Sequence, residues 1–355
     1  MKILKKILLL GIILIFGIGA LGCGENGDSG NNSTSSNKNE TATESKEEKK
    51  VLRIGAPGTN EFLGEILGTA QKNGYLEEEL KKVGYEVETI NFPAAGPAIN
   101  EAFVANSLDF ADYGDLPGIL ALSKNIDLKI LATTNKAWNI KVIVQKDSNI
   151  NSIKDLEGKK VIVGRGTIYH QFFNSIAKAN NLDINKVEIV NTVSDGASTF
   201  AAKEADAFVT VDVQANILIK STGAKTIISS LENPEFANQK ILLGRAEYIK
   251  ENPEAVKALL KAYLRAIDYL KEDQERTYEL LANSGTSNEI IKETYGYDNG
   301  KFDFFSLDIN DDSLERLNNV SDFLVDEKLS DKKVDIKSKV DSSFYEEVKK
   351  ELENN

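Results

Sequence analysis

A sharp turn between a short strand and a helix holds the first residues of this sequence that suit ligand chemistry. The pattern predicts a strand over Leu108–Tyr113, which Gly114 then ends. Asp115 stands at the expected N-cap of the following helix, two residues before Pro117. Backbone N–H groups at such a turn point outward at the carboxyl edge of a sheet, where α/β proteins bind small ligands. We therefore expect Gly114 and Asp115 to contact a ligand, with helix capping as the alternative role of Asp115.

A second turn offers similar chemistry. The segment Gly164-Arg165-Gly166-Thr167 follows a predicted strand and opens a helix, and the only histidine, His170, lies in its first turn. A dinucleotide-binding fingerprint would need a third glycine where this chain has Tyr169, so that interpretation is weak. A helix N-terminus still favours an anionic group. We expect Gly166, Thr167 and His170 to contact the ligand, with a structural histidine as the alternative.

Three further candidates lie near predicted strands. Asp212 ends a strand over 207–211 and would face the same sheet edge as Gly166. Asn135 and Trp138, the only tryptophan, lie between two apolar runs where the chain should leave its first lobe. Trp138 suits either a platform at the mouth of a cleft or a half-buried core position. Asp212 suits either ligand contact or helix capping.

Composition excludes several classes of protein. The chain of 355 residues carries a formal net charge of −12, and nucleic acid would require a basic surface instead. A single Cys excludes an internal disulfide framework and a multi-cysteine metal site, and a single His excludes a His-rich one. We therefore predict no cofactor and no metal.

The N-terminus predicts export and anchoring. Lys2, Lys5 and Lys6 precede an apolar run over Ile7–Leu21, shorter than the about 20 residues of a membrane helix. The sole cysteine, Cys23, follows directly, and Ala20-Leu21-Gly22-Cys23 resembles a bacterial lipoprotein processing site. The interpretation is a signal peptide over 1–22, lipidation of Cys23, and a polar, disordered tether over 23–50. An ordinary secretory signal or an uncleaved anchor is the alternative.

Several phrases further along the chain resemble one family. FPA-GP, S-LDF and YGDLPGILA occur in order within residues 92–121, followed by I-x-D-L-x-G-K-K-V at 153–161 and DGASTFAAKEADAFVTVD at 195–212. Together they resemble the solute-binding proteins of aliphatic sulfonate, taurine and nitrate ABC importers, over roughly residues 51 to 348. The resemblance also implies a ligand-contact loop at Thr59 and Asn60, although polar loop residues commonly form turns.

The fold class that follows is α/β, a two-lobed type II periplasmic binding protein with two hinge crossings. Lobe 1 should comprise residues 51–138 plus 245–355, and lobe 2 should comprise residues 139–244. The resemblance implies capture of a small molecule between the lobes and delivery to a membrane permease powered by an ATPase. The expected location is the extracytoplasmic face of the cell membrane, held by the N-terminal lipid.

The ligand class depends on two acids. If Asp115 and Asp212 both face the cleft, a bare anion would be repelled, and an aminosulfonate such as taurine would fit better. The alternatives are a pyrimidine or thiamine precursor stacked on Trp138, Tyr113 or Tyr169, or nitrate or bicarbonate. Some proteins with this fold resemble iron-dependent pyrimidine synthases, which carry a cysteine-rich motif and several histidines. This chain has one Cys and one His. We therefore predict a binding protein and no enzyme. A lipid-anchored sensor or adhesion module would share the same fold.

Overall fold

The structure, a computed structural model, describes residues 50–354 of the chain. The predicted signal peptide, Cys23 and most of the predicted tether lie outside the described residues. Lys50, the last residue of that tether, already belongs to the first strand. Within the described range, no helix is long and apolar enough to cross a membrane.

The strands form two sheets of five strands each. Their bounds are β1 Lys50–Pro57, β2 Tyr85–Phe92, β3 Phe110–Gly114, β4 Leu128–Trp138, β5 Ile140–Val144, β6 Lys160–Ile162, β7 Glu188–Val190, β8 Ala207–Val211, β9 Lys225–Ser229 and β10 Asn238–Arg245. The first sheet has the order β2-β1-β3-β10-β4 and the second the order β7-β6-β8-β5-β9. In each sheet four strands run in the same direction, and one inner strand, β10 or β5, runs antiparallel to both of its neighbours.

Helices connect the strands and cover the sheets. Their bounds are α1 Glu65–Lys72, α2 Tyr75–Lys82, α3 Ala95–Val104, α4 Asp115–Ser123, α5 Ile168–Ala179, α6 Gly196–Ala201, α7 Asp212–Thr222, α8 Ala246–Glu251, α9 Pro253–Glu272, α10 Gln274–Leu281, α11 Asn288–Tyr295, α12 Asp311–Asp326, α13 Ile336–Lys339 and α14 Ser343–Glu353. This alternation of strand and helix produces the α/β class that the sequence predicts.

The chain crosses between the sheets twice. Asn139 separates β4 of the first sheet from β5 of the second, and residues 230–237 lead from β9 back to β10. Ser230 fastens the two crossings, because its hydroxyl accepts from Ile140 N at 2.9 Å and its own N–H donates to Ile140 O at 2.9 Å. In the first sheet, β10 returns from the second crossing and pairs antiparallel with β4, the strand from which the chain left that sheet. In the second sheet, β5 enters from the first crossing and pairs antiparallel with β9, the strand from which the chain leaves.

The return crossing lies earlier than the sequence suggests. The predicted boundary assigns residues 238–244 to the second lobe, whereas β10 pairs with β3 and β4 of the first sheet. The apolar run 241–244 is itself predicted as the strand that returns to the first lobe, and the structure begins that strand three residues earlier, at Asn238. We therefore propose that lobe 2 comprises about residues 139–237, with lobe 1 on either side of it.

Local patterns explain several elements. The apolar residues of α9 recur at helical spacing and form a buried inner face, including Leu259 and Tyr263 at 0 % exposure. Its Pro253 occupies the first turn, where the missing N–H costs least. At the entry to the second lobe, Ser152 and Asp155 form a capping box, and Gly158 adopts a φ of 75° that suits glycine.

Element boundaries differ from prediction by a few residues. The strand predicted over 108–113 spans Phe110–Gly114. Asp115, predicted as an N-cap, is the first residue of α4, and Gly114 occupies the cap.

Candidate functional site

A cavity of about 330 Å³ is lined by residues of both lobes. The first-lobe wall includes the loop at 57–60, the start of α1, Trp138 and Lys240; the second-lobe wall includes Tyr169, Ser194, Thr210 and Gln214. Apolar side chains such as Phe62 and Phe208 fill much of the remaining wall. This volume and this mixture of apolar wall with a few polar groups are typical of a small-molecule site.

A buried ion pair lies in the first-lobe wall. The Lys240 ammonium lies 2.9 Å from Glu65 Oε2, and the side chains are only 5 % and 8 % exposed. The other carboxylate oxygen of Glu65 accepts from Asn135 Nδ2 at 2.9 Å, with the Tyr295 hydroxyl at 3.4 Å. The Lys240 ammonium also lies 5.3 Å from the centre of the Trp138 ring, a cation–π distance. The pair therefore joins α1, β4, β10 and α11 at one point of the cavity.

Asp112 stands behind this pair in the core. Its carboxylate lies 3.5 Å from the Lys240 ammonium and accepts from the Thr134 hydroxyl at 2.6 Å. Burial raises the pKa of Asp112, while the positive charge of Lys240 opposes that shift. Burial alone would lower the pKa of Lys240, but Asp112 and Glu65 raise it overall. The lysine is therefore a cation held between two acids.

The backbone at Glu65 is unusual. Glu65 has a φ of 47° directly after Gly64 at 78°, so two successive residues adopt left-handed backbone. Such a conformation is costly for a residue with a Cβ and persists where surrounding contacts fix it. Here the hydrogen bonds and the ion pair of the Glu65 carboxylate supply those contacts, and they aim the side chain at the cavity wall.

A smaller cavity of about 20 Å³ adjoins the hinge, with Asn135, Trp138 and Asp212 among its lining residues. The Asp212 carboxylate lies 2.9 Å from the Lys141 ammonium, so its charge is balanced. Burial raises the pKa of Asp212, and Lys141 lowers it in part.

Five of the ten residues predicted to bind ligand line these cavities. Thr59, Asn60 and Trp138 line the larger cavity, and Asn135, Asp212 and again Trp138 line the smaller one. Asn135 contacts the site from behind, since its amide donates to Glu65 and its oxygen accepts from Ala137 N at 2.9 Å.

The turn at Gly114 faces the other lobe outside the cavity lining. A Cβ added at Gly114 would lie 2.5 Å from Ile168 Cγ2. Asp115 is 1 % exposed, and its carboxylate accepts from Leu116 N at 2.8 Å and Gln239 N at 3.2 Å. The Asp115 carboxylate is therefore held by local hydrogen bonds outside the cavity lining, where it does not face a ligand anion.

The second predicted turn also lies outside the cavity lining. Gly166 adopts a φ of 73° near Pro97 of the first lobe. Thr167 caps α5, accepting from Tyr169 N at 3.2 Å and donating to Gly164 O at 2.6 Å. His170 packs edge-on against Phe323 of α12, with ring centres 6.1 Å apart, and burial lowers the pKa of its imidazole.

Of the three rings considered for stacking, two line the larger cavity. Trp138 and Tyr169 do so, whereas Tyr113 is 0 % exposed and donates its hydroxyl to Asn100 Oδ1 at 2.9 Å. Burial raises the pKa of Tyr169 to about 12, and a hydrogen bond with Thr210 opposes that shift.

Sequence reasoning missed the two charged residues of the larger cavity, Glu65 and Lys240. Lys240 had a detectable signal, because a lysine at the start of the apolar run 241–244 must find a counter-charge once the strand is buried. Glu65 looked like an ordinary acid in the first turn of a helix. Within residues 50–354, no group of three or more His, Cys, Asp or Glu side chains is arranged to hold a metal ion.

Two α/β lobes, two crossings and a cavity lined by both lobes define the periplasmic binding protein fold, and solved structures agree. One is described as the sulfonate-binding protein SsuA of a sulfonate ABC transporter from Methylobacillus flagellatus KT. It matches with a TM-score of 0.70 at 25% identity, over 86% of this chain and 95% of its own. SsuA from Xanthomonas axonopodis pv. citri, an alkanesulfonate-binding protein bound to MOPS, matches with a TM-score of 0.70 at 19% identity, over 82% of this chain and 97% of its own.

Sequence comparison places the chain within a family. The chain belongs to the NMT1/THI5-like family, which it matches over residues 65–277. A protein of Bacillus subtilis (strain 168) described as an aliphatic sulfonates-binding protein is 26% identical over 99% of this chain and 98% of its own length. The same fold also occurs in an enzyme, since the desulfurization enzyme DSZB matches with a TM-score of 0.67 at 16% identity, over 85% of this chain and 99% of its own.

Proposed function

We propose that this chain is the extracytoplasmic solute-binding component of an ABC importer and captures a small sulfonate-type ligand between its lobes. The observation that carries the proposal is the cavity of about 330 Å³ whose walls come from both lobes. The likeness to the Bacillus subtilis sulfonates-binding relative over 99% of the chain supports the ligand class.

The mechanism follows from the position of the cavity. A ligand that touches Thr59 on one lobe and Gln214 on the other makes its full set of contacts only when the lobes are together. Binding therefore shifts the population toward the closed arrangement, by as much as the ligand prefers that state. The closed form then docks on the permease, which an ATPase drives. This is a binding role without catalysis, as in the named binding-protein relatives.

The proposal also includes an anchor and a set of contacts. Acylation of Cys23 after removal of residues 1–22 would hold the protein at the extracytoplasmic face of the membrane, because two acyl chains suffice for stable anchoring. We assign ligand contact to residues that line the larger cavity, namely Thr59, Asn60, Trp138, Tyr169, Ser194, Gln214 and Lys240.

A ring-bearing ligand is the second candidate, with the same transport role. Trp138, Tyr169 and Tyr295 line one cavity, and aromatic faces of this kind stack on flat rings such as pyrimidines. The two candidates differ in ligand chemistry alone, so one titration separates them.

The test is calorimetric titration of the full chain in detergent, after unfolding and refolding to remove any co-purified ligand. The panel contains alkanesulfonates, taurine, nitrate, bicarbonate and pyrimidine precursors. We expect micromolar or tighter binding of a sulfonate, and recovery of the sulfonate unchanged. Binding of a pyrimidine alone would keep the role and change the ligand, whereas conversion of the sulfonate would show an enzyme.

Matched threonine variants locate the site. Thr59→Ala, in the cavity wall, should weaken binding about tenfold, since it removes a polar contact from one lobe. Thr226→Ala, on the exposed side of β9 and outside the cavity lining, should leave binding unchanged. Equal effects of the two changes would contradict the placement of the ligand in this cavity.

A further inference from the structure

The charged side chains in the walls of this cavity are each paired with an opposite charge. Among the described residues that line the larger and the smaller cavity, three are charged: Glu65, Lys240 and Asp212. Each has an opposite charge within 2.9 Å, since Glu65 pairs with Lys240 and Asp212 pairs with Lys141. The one cation among these described lining residues, Lys240, is therefore already paired with an acid of the protein.

Lys240 is balanced most completely. Its ammonium lies 2.9 Å from Glu65 and 3.5 Å from Asp112, and the side chains of all three residues are no more than 8 % exposed. Solvent screens the interactions among such buried groups only weakly, so the two acids largely neutralise the positive charge of Lys240.

A ligand with a net negative charge meets an unfavourable site. Enclosure between the lobes would remove its hydration, and no unbalanced cation would replace it. A ligand that carries its own positive charge needs no cation from the protein to balance its negative charge. Tyr169 and Tyr295 line the same cavity, and aromatic rings attract ammonium groups.

We propose that this site selects ligands without net charge, and that Glu65 sets the selectivity by neutralising Lys240. The preferred sulfonates are then zwitterions, in which an ammonium group balances the sulfonate, rather than simple alkanesulfonates of the same shape. Glu65 is a positioning residue here, because it acts through Lys240. The inference rests on the proposed capture of a sulfonate.

Two commercially available probes of nearly equal shape test the selectivity. Trimethylammonio-propanesulfonate is a permanent zwitterion, and trimethylsilyl-propanesulfonate replaces its charged nitrogen with neutral silicon. We expect the native chain to bind the zwitterion at least about tenfold more tightly in calorimetric titration. This comparison needs no variant, so it does not depend on the folding of a mutant.

The variant Glu65→Gln tests the residue. Removing its charge leaves Asp112 as the remaining one of the two acids beside Lys240, so the positive charge of Lys240 acts more strongly on a ligand anion. Affinity for the silyl probe should therefore rise, and the preference for the zwitterion should fall about tenfold. A general loss of structure would weaken both probes alike and leave their ratio unchanged. Glu79→Gln is the matched control, because Glu79 is also a buried acid, 7 % exposed and paired with Lys82 and Arg265, but lies outside the cavity lining.

The outcomes separate this inference from the proposed function. Equal or tighter binding of the silyl probe by the native chain overturns the selectivity and leaves sulfonate capture intact. An unchanged ratio in Glu65→Gln, with affinity for the zwitterion as high as in the native chain, overturns the role of Glu65. Failure of both probes and of every sulfonate in the panel overturns the proposed function, and the inference with it.

Discussion

At the scale of single residues, Asp115 shows how burial changes the behaviour of one carboxyl group. Its hydrogen-bond donors, Leu116 N, Gln239 N and Asn238 Nδ2, are all neutral. Burial therefore dominates and raises the pKa of Asp115 from 3.8 to about 6. The unfolded chain releases the proton near the ordinary pKa, whereas the folded chain retains it to a higher pH.

This difference predicts a pH dependence of stability. Between about pH 4 and 6 the unfolded state binds fewer protons than the folded state, so Asp115 lowers the free energy of unfolding as pH rises, by about 3 kcal/mol in total. Asp115→Asn does not titrate. The native chain should therefore lose stability relative to this variant across the window, as measured by urea unfolding at a series of pH values. A constant difference would contradict the prediction.

At the scale of elements, the start of α5 depends on one hydroxyl group. Thr167 both accepts from Tyr169 N and donates to Gly164 O, and the side chain is buried at 3 % exposure. These bonds satisfy one of the unpaired N–H groups at the helix start and close the preceding glycine turn. The role is therefore structural in this arrangement, although Thr167 suited a ligand contact in the sequence.

We expect Thr167→Ala to lower the free energy of unfolding by about 1–2 kcal/mol, because the cap and the turn both lose their partner. Thr167→Ser is the matched variant, since it keeps the hydroxyl and loses one methyl group. Urea denaturation monitored by circular dichroism measures both changes. Equal destabilisation by Ser and Ala would show that packing, rather than capping, explains the threonine.

At the scale of the whole molecule, the lobes touch through apolar and polar contacts beside the cavity. Ile168 of the second lobe lies against Gly114 of the first, and Asn238 Nδ2 donates to Gln171 Oε1 at 2.9 Å. The buried apolar cluster around α4 and α5 is continuous between the lobes. This arrangement of the lobes therefore requires that Ile168 approach the backbone of Gly114 closely.

Gly114→Ala should disfavour that arrangement. Its backbone, at φ −62° and ψ 148°, accepts any residue, but the new Cβ would lie 2.5 Å from Ile168 Cγ2. Such overpacking costs about 1–3 kcal/mol, and moving the lobes apart relieves it. We expect a larger radius of gyration by small-angle scattering. Adding Ile168→Ala removes the clash and should restore the native value, and a double variant as expanded as the single one would contradict the explanation.

The sequence by itself determined the elements and the class of fold. The inner face of α9, the glycine turn at 158 and the strand–helix alternation follow from local periodicity and backbone preferences, which act over a few residues. The α/β class was therefore predictable from local patterns, whereas the two lobes were implied by the family resemblance, and the structure confirms both. Half of the predicted ligand residues also reach the cavities, because loops at strand ends share one edge of a sheet.

Tertiary structure decided the charges of the cavity and the residue at which the return strand β10 begins. Glu65 and Lys240 are 175 residues apart, so no local pattern links them. The same packing turned Asp115 toward β10 and sank Tyr113 into the core, away from the cavity. Which polar groups face a ligand depends on how distant segments exclude water from the others, and that is settled only when the lobes are assembled.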